Sequence, residues 1–300
     1  MSIQVANAPV SWGIMESVEP PPDYPYTRVL EELAQAGYAG TELGPYGFLP
    51  TAPAALEREL ARRGLTLCSA FVAMQLDNRG AHETGFAHLA RTAELISQVD
   101  CRLLILSDEI SADRSAVAGR REEANQLSWN ETEWKAAEKA IRAAVARCEE
   151  LGLQVAFHHH VGTHVETPEE VERLLSLFAP DELGLCLDTG HCVYGGGDPV
   201  SLLERYADRV RCVHLKDVDG VRIGEVRSQG VDFHAAVRRG VFAPLGRGVI
   251  DFSRLAALLR EHRFDGWVVV EQDVLAGGRG AAAPLANATA ARQYLRQLGL

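Results

Sequence analysis

The 300-residue chain has no Cys-x-x-Cys pair, no Lys/Arg run longer than a dipeptide and no apolar stretch long enough to cross a bilayer. Each absence removes a class of function. A membrane-spanning helix needs about 20 consecutive apolar residues, so no membrane partner is expected. Nucleic-acid binding rests on clustered Lys and Arg, and here 30 basic residues face 41 acidic ones for a formal net charge of −11. The start, Met1-Ser2-Ile3-Gln4-Val5, lacks the basic segment and apolar run of a signal peptide. Six cysteines stand singly at positions 68, 101, 148, 186, 192 and 212, mostly inside apolar runs, as buried free thiols do. Their spacing predicts a reduced, cytoplasmic protein rather than a disulfide scaffold.

What is present is apolar material. At 47% hydrophobic and 24% charged, the chain reads as one water-soluble domain over residues 1–300 with ample core. Short apolar runs alternate with amphipathic helices from end to end. The strand candidates are 3–8, 40–43, 65–73, 102–107, 153–158, 183–188, 210–215 and 267–272. They are continuous runs rather than strict alternations, which suits parallel strands covered on both faces. Between them, Val29, Leu30, Leu33 and Ala34 form one helical stripe closed by Gly37, and Trp134 to Leu151 forms another closed by Gly152. Thr167-Pro168-Glu169-Glu170 has the composition of a helix start, and 285–298 predicts a closing helix.

Eight strand–helix pairs predict an α/β fold, a (β/α)8 TIM barrel. A doubly wound sheet is the rival, but its glycine-rich phosphate turn is missing after the first strand, which runs into Asn7-Ala8-Pro9-Val10-Ser11-Trp12-Gly13. The Gly195-Gly196-Gly197 run reads as a loop. Two connections, 108–127 and 217–250, are longer than turns require, the second with a short helix around Phe233–Arg239. Both leave carboxyl ends of strands, where barrel enzymes carry their chemistry.

Those ends hold the polar residues. The fifth strand ends in His158-His159-His160, the sixth in Asp188-Thr189-Gly190-His191, the seventh in His214-Leu215-Lys216-Asp217 and the eighth in Glu271-Gln272-Asp273. Taken singly, each has an ordinary reading as a turn cap, a solvated loop residue or an exposed acid. Taken together, a barrel makes His158, Asp188, His214 and Glu271 converge on one axial cavity. Two carboxylates there repel and resist burial unless a cation joins them. Two imidazoles with two carboxylates suit a first-row divalent ion such as Mn, Co, Fe or Zn. Such an ion polarises a substrate carbonyl. His160, His191 and Lys216 are the proton-transfer candidates, Lys216 with its pKa lowered by the nearby ion. Glu42 reaches the same rim as a base or hydroxyl ligand. Asn7 and Trp12 suit a sugar-like ligand, and His159 and Asp217 complete the expected substrate contacts.

The segments Asn7–Gly13, Ala39-Gly40-Thr41-Glu42-Leu43-Gly44-Pro45-Tyr46-Gly47, His158-His159-His160-Val161-Gly162-Thr163 and Cys186-Leu187-Asp188-Thr189-Gly190-His191 resemble the inosose dehydratase family. So do His214-Leu215-Lys216-Asp217 and Pro244-Leu245-Gly246-Arg247-Gly248, in the expected order along nearly the whole chain. That family is similar to the wider xylose isomerase-like barrels, whose metal set is Glu, Asp, His and Glu at the ends of strands five to eight. Asp188, His214 and Glu271 match it, and His158 stands where the wider group has Glu. The resemblance implies elimination of water from 2-keto-myo-inositol (scyllo-inosose) through a metal-stabilised enediolate, in inositol catabolism. It implies Co or Mn as the ion, glutathione as a further cofactor, and a homo-oligomer. On this reading His160 or Glu42 takes the α proton, and His191 or Lys216 protonates the departing hydroxyl. The alternatives are an isomerase or epimerase of free ketoses and, from another class, a non-catalytic sugar-binding barrel.

Overall fold

Runs of Val, Ile, Leu, Phe and Cys too apolar to leave either face in water become the staves of a closed parallel barrel. A computed structural model describes residues 3–15, 24–275 and 283–300. Its first seven strands are β1 (Gln4–Asn7), β2 (Gly40–Glu42), β3 (Thr66–Met74), β4 (Leu103–Asp108), β5 (Gln154–His158), β6 (Gly184–Asp188) and β7 (Val210–Leu215). A small antiparallel ribbon, β8 (Asp217–Val218) with β9 (Phe242–Ala243), stands apart from the barrel, and β10 (Trp267–Val270) closes it by pairing with both β7 and β1.

The helices are α1 (Tyr26–Ala36), α2 (Pro53–Ala61), α3 (His82–Ser97), α4 (Ala112–Ala116), α5 (Arg121–Gln126), α6 (Glu131–Glu149) and α7 (Pro168–Ser176). They continue as α8 (Thr189–Tyr194), α9 (Pro199–Tyr206), α10 (Gly220–Ser228), α11 (Phe233–Arg238), α12 (Phe252–Glu261) and α13 (Pro284–Gln297). Local chemistry sets their ends. Gly37 closes α1 at φ +88°, and Thr167 with Glu170 forms a reciprocal cap behind Pro168 at the start of α7. Among the described residues no helix is long and apolar enough to cross a membrane. All six cysteines are buried free thiols.

Alternation along the staves decides which residues meet. Ala6, Ala8, Ile105, Ala156, Cys186, Cys212 and Val269 form one buried cluster in the lumen, while Val5, Leu104, Val155, Phe157, Leu185, Leu187, Val213, Leu215, Val268 and Val270 pack outward in the main core with the helices. Two residues further along each inward series stand His158, Asp188, His214 and Glu271. The long connections are structured rather than open. Segment 108–127 carries α4 and α5, and 217–250 carries α10, α11 and the β8–β9 ribbon around its own apolar cluster.

Candidate metal centre and active site

One donor atom from each of His158, Asp188, His214 and Glu271 lies within 4.8 Å of the others. Each is aimed by its neighbours. Asp188 Oδ1 accepts the His191 N–H at 2.7 Å as the cap of α8, leaving Oδ2 without a hydrogen-bond partner in a fully buried position. The His214 Nε2–H donates to Glu42 Oε1 at 3.0 Å, and the Ser69 hydroxyl donates to the same oxygen at 2.7 Å. That turns His214 Nδ1, which has no hydrogen-bond partner, toward the carboxylates, 3.9 Å from Asp188 Oδ2 and 3.3 Å from Glu271 Oε2. His158 Nε2 stands 3.5 Å from Asp188 Oδ2. Asp188 Oδ2 and His214 Nδ1 are thus buried without a hydrogen bond, and unpaired buried polar atoms are costly. A divalent cation gives them a common partner, so the residues fit one, and the mixed nitrogen–oxygen set is borderline in character.

Beside this centre sits Lys216. Its ammonium lies 2.8 Å from Asp273 Oδ1, 3.1 Å from Glu271 Oε2, 3.5 Å from Asp188 Oδ2 and 3.0 Å from His191 Nε2. Burial alone would strip its proton, but Asp188, Asp273 and Glu271 outweigh that and raise its pKa. Three surrounding carboxylates hold the charge. Burial pushes Asp273 up to about 6 despite the pull of Lys216. His160 donates its Nδ1–H to the Val161 carbonyl at 2.7 Å, so Nε2 carries the lone pair, and burial holds the ring neutral, well below its ordinary range.

A cavity of about 390 Å³ opens above these groups. His158, His160, His214, Lys216, Glu42, Glu271 and Asp273 line its floor, Phe71, Ile14, Phe233, Val237 and Leu275 its walls, and Ser107, Asp108 and Glu109 a further polar side. Asp108 is held by the His164 N–H at 3.0 Å and its Nδ1 at 3.3 Å, with His164 stacked on Trp129. Lys216 is the one basic residue other than histidine among the described lining residues, against five carboxylates.

Several expected contacts lie elsewhere, and strand parity explains most of them. Asn7, His159 and Asp217 are one residue out of step with the inward positions Ala8, His158 and Lys216. Asn7 is buried on the helix side of β1 and does not line the cavity. His159 points outward, its Nε2 accepting the Asp188 N–H at 3.3 Å. Asp217 organises its own loop: its carboxylate accepts N–H groups of Val218, Gly246, Gly248 and Ile250 at 2.8–3.3 Å. A Cβ at Gly248 would overlap Asp217 Oδ1, which explains the glycine in that motif. Trp12 is buried with its Nε1–H donating to Glu32 at 2.6 Å, so it packs α1 rather than meeting a ligand. His191 sits behind His160, ring centroids 3.7 Å apart, and does not line the cavity. Glu42 reaches the rim engaged to His214 and Ser69, as an orienting carboxylate rather than a free base. Asp273, named at the end of the eighth strand but given no role, stands two residues beyond Glu271 and lines the cavity with it. The supports Ser69, His164 and Phe233 carry no local sequence signal.

Segment 108–127 is pinned by buried charge. Arg114 of α4, fully buried, makes a bidentate pair with Glu170 at 2.9 Å and donates to the Ala124 carbonyl. Glu166 accepts the N–H groups of Gly119 and Gly162, both at 2.7 Å, and burial raises its pKa to about 7.

The geometry has counterparts. A family model described as the xylose isomerase-like TIM barrel matches residues 30–298. An inosose dehydratase of Geobacillus kaustophilus (strain HTA426) is 34% identical over 98% of this chain and 94% of its own length. The chain belongs to the inosose dehydratase family of xylose isomerase-like TIM barrels. The rhizopine catabolism protein MocC of Rhizobium meliloti is similar too, at 36% identity over 91% of this chain and 82% of its own. Among solved structures, the IolI protein with a bound zinc atom superposes at a TM-score of 0.73 and 13% identity, covering 99% of this chain and 98% of that one. The probable 3-DHS dehydratase AsbF from Bacillus anthracis gives 0.72 and 15%, covering 98% and 99%. At those identities both share the barrel of this inosose dehydratase family chain as a fold alone.

Proposed function

We propose that the chain eliminates water from 2-keto-myo-inositol (scyllo-inosose), a step of inositol breakdown. The observation that carries this is the convergence of four ligand-bearing stave ends on the floor of a cavity that also holds a lone-pair imidazole and an ammonium. The family relationship over nearly the full length supports it. The apolar walls suit the C–H faces of a cyclic polyol, and Asp108 and Glu109 suit its hydroxyls.

Held by His158, Asp188, His214 and Glu271, a divalent ion supplies Lewis acidity toward the ketone oxygen. We take Mn or Co as that ion, the same donors being compatible with Zn or Fe. His160 Nε2 accepts the α proton, its Nδ1–H already committed to Val161. The electron pair of that C–H bond forms the new C=C as the β C–O bond breaks. Lys216 delivers a proton to the departing hydroxyl, so water leaves, and the enol that remains tautomerises to a dione. Asp273, Glu271 and His191 aim the ammonium. Glu42 keeps His214 in its ligating tautomer.

The test is turnover of inosose with Mn, Co, Mg, Zn or no metal, read as the ultraviolet absorption of the dione. The chromophore should grow with Mn or Co and stop on chelation. A ketose rearranged without it would make the chain an isomerase or epimerase, and full activity in metal-free protein would end the proposal.

A further inference from the structure

One layer beneath the catalytic donors, toward the amino ends of the staves, the lumen is lined by thiols. Cys186 precedes Asp188 by two residues and Cys212 precedes His214 by two, so both point inward, and they are register partners on β6 and β7. Cys186 Sγ and one ring nitrogen each of His158 and His214 lie within 4.8 Å of one another. The two imidazoles that complete the upper set therefore also complete a lower one, with sulfur in place of the carboxylates.

The two sets differ in chemistry. Carboxylate oxygens favour hard ions such as Mn, whereas a thiolate favours zinc and cadmium. Two imidazoles and one thiolate make a three-ligand site with Zn–S of about 2.3 Å and Zn–N of about 2.0–2.1 Å. Those bonds place donors roughly 3.5 Å apart, so the lower set closes by about an ångström of side-chain movement. Binding displaces the thiol proton, which leaves to the solvent buffer. Because both imidazoles are shared, the two positions exclude each other.

We propose that His158, Cys186 and His214 form a second, deeper ion position selective for thiophilic divalent ions, which withdraws both imidazoles from the catalytic position and switches the enzyme off. This rests on the metal-centre reading only for the two histidines.

The first test uses the wild-type chain, stripped of metal and loaded with one equivalent of zinc, and reads the zinc-edge X-ray absorption. One sulfur with two nitrogens in the coordination shell is the expected result, and a shell of nitrogen and oxygen alone overturns the proposal. The second titrates stripped protein with cadmium and follows the sulfur-to-cadmium charge-transfer band. It should saturate at one equivalent in wild type and in Cys212→Ser and be absent in Cys186→Ser. A band that persists in Cys186→Ser overturns the proposal. In the Mn-loaded enzyme, Cys186→Ser should weaken zinc inhibition at least tenfold, while Mn affinity, read from the resonance of free Mn, stays within twofold. Unrelieved inhibition counts against the deeper position. Failure of wild type to bind Mn at all, with the sulfur signals intact, would instead sink the catalytic-centre reading.

Discussion

Asp188 divides its two oxygens between tasks: one caps α8, the other is the unpartnered atom at the centre of the donor set. Asparagine caps helices as well as aspartate, so Asp188→Asn should fold normally while metal content, measured by elemental analysis, falls to background and turnover drops at least ~10³-fold. Lys216→Met and His160→Gln should behave differently. Each should lower kcat by about 10²–10⁴ with metal content retained, because they move protons rather than hold the ion. Equal loss of metal and rate would make either one a ligand. Trp12 separates packing from recognition. Trp12→Phe removes a buried hydrogen bond to a carboxylate, a loss of about 1.5–3 kcal/mol in denaturant titrations, with KM for inosose unchanged. A raised KM at unchanged stability would restore Trp12 to the substrate.

At the level of the elements, segment 108–127 depends on few contacts. Arg114→Ala leaves Glu170 buried without its partner, and Glu166 loses its neighbouring cation. The expected loss is about 3–5 kcal/mol, with the first proteolytic cuts inside 112–126. Glu166 gives this segment a pH dependence. Its folded pKa, about 7, is raised by burial above the ordinary glutamate value of about 4.5, so the folded state binds more protons than the unfolded one between those values. Stability from this group is full below the lower value and is lost as pH rises toward the upper one. Melting temperature should fall from pH 5 to 7.5 in wild type and fall less in Glu166→Gln, and parallel slopes would contradict this. The 217–250 connection is fastened by the Asp217 carboxylate. The sequence motif Pro244–Gly248 is intelligible once Gly246 and Gly248 are seen to donate their N–H groups to it, a contact across some thirty residues that no local pattern announces.

For the molecule as a whole, the eight staves were legible because burial on both faces writes each one as an apolar run: 153–158 was expected where β5 holds Gln154–His158, and 40–43 where β2 holds Gly40–Glu42. The ligating ends were legible because strong ligand types closed four successive runs. What was hard to read was phase. In His158-His159-His160 only the first and third rings face the lumen, and the same slip moved Asn7 to the helix side and Asp217 into its own loop. Counting in twos from Glu271 gives Asp273 its inward place. Pairings at long range, Trp12 with Glu32 or Arg114 with Glu170, depend on how helices lie on the barrel and leave no trace in spacing. Because the four donors belong to four different staves, an ion there ties half the barrel together. Manganese at about a hundred times its dissociation constant should stabilise the fold by about 2.7 kcal/mol and raise the melting temperature by several degrees. Identical melting with and without chelator would mean the ion does not bind there.

The scarcity of positive side chains among the described residues lining the cavity has a metabolic consequence. Among the described lining residues the one ammonium is already engaged by three carboxylates, so a dianionic phosphate entering that space meets their repulsion with no described guanidinium to receive it. Phosphorylated hexoses and inorganic phosphate, abundant in any cell, should leave turnover untouched at millimolar levels, and the flux of uncharged cyclitols should proceed independently of the sugar phosphates around it.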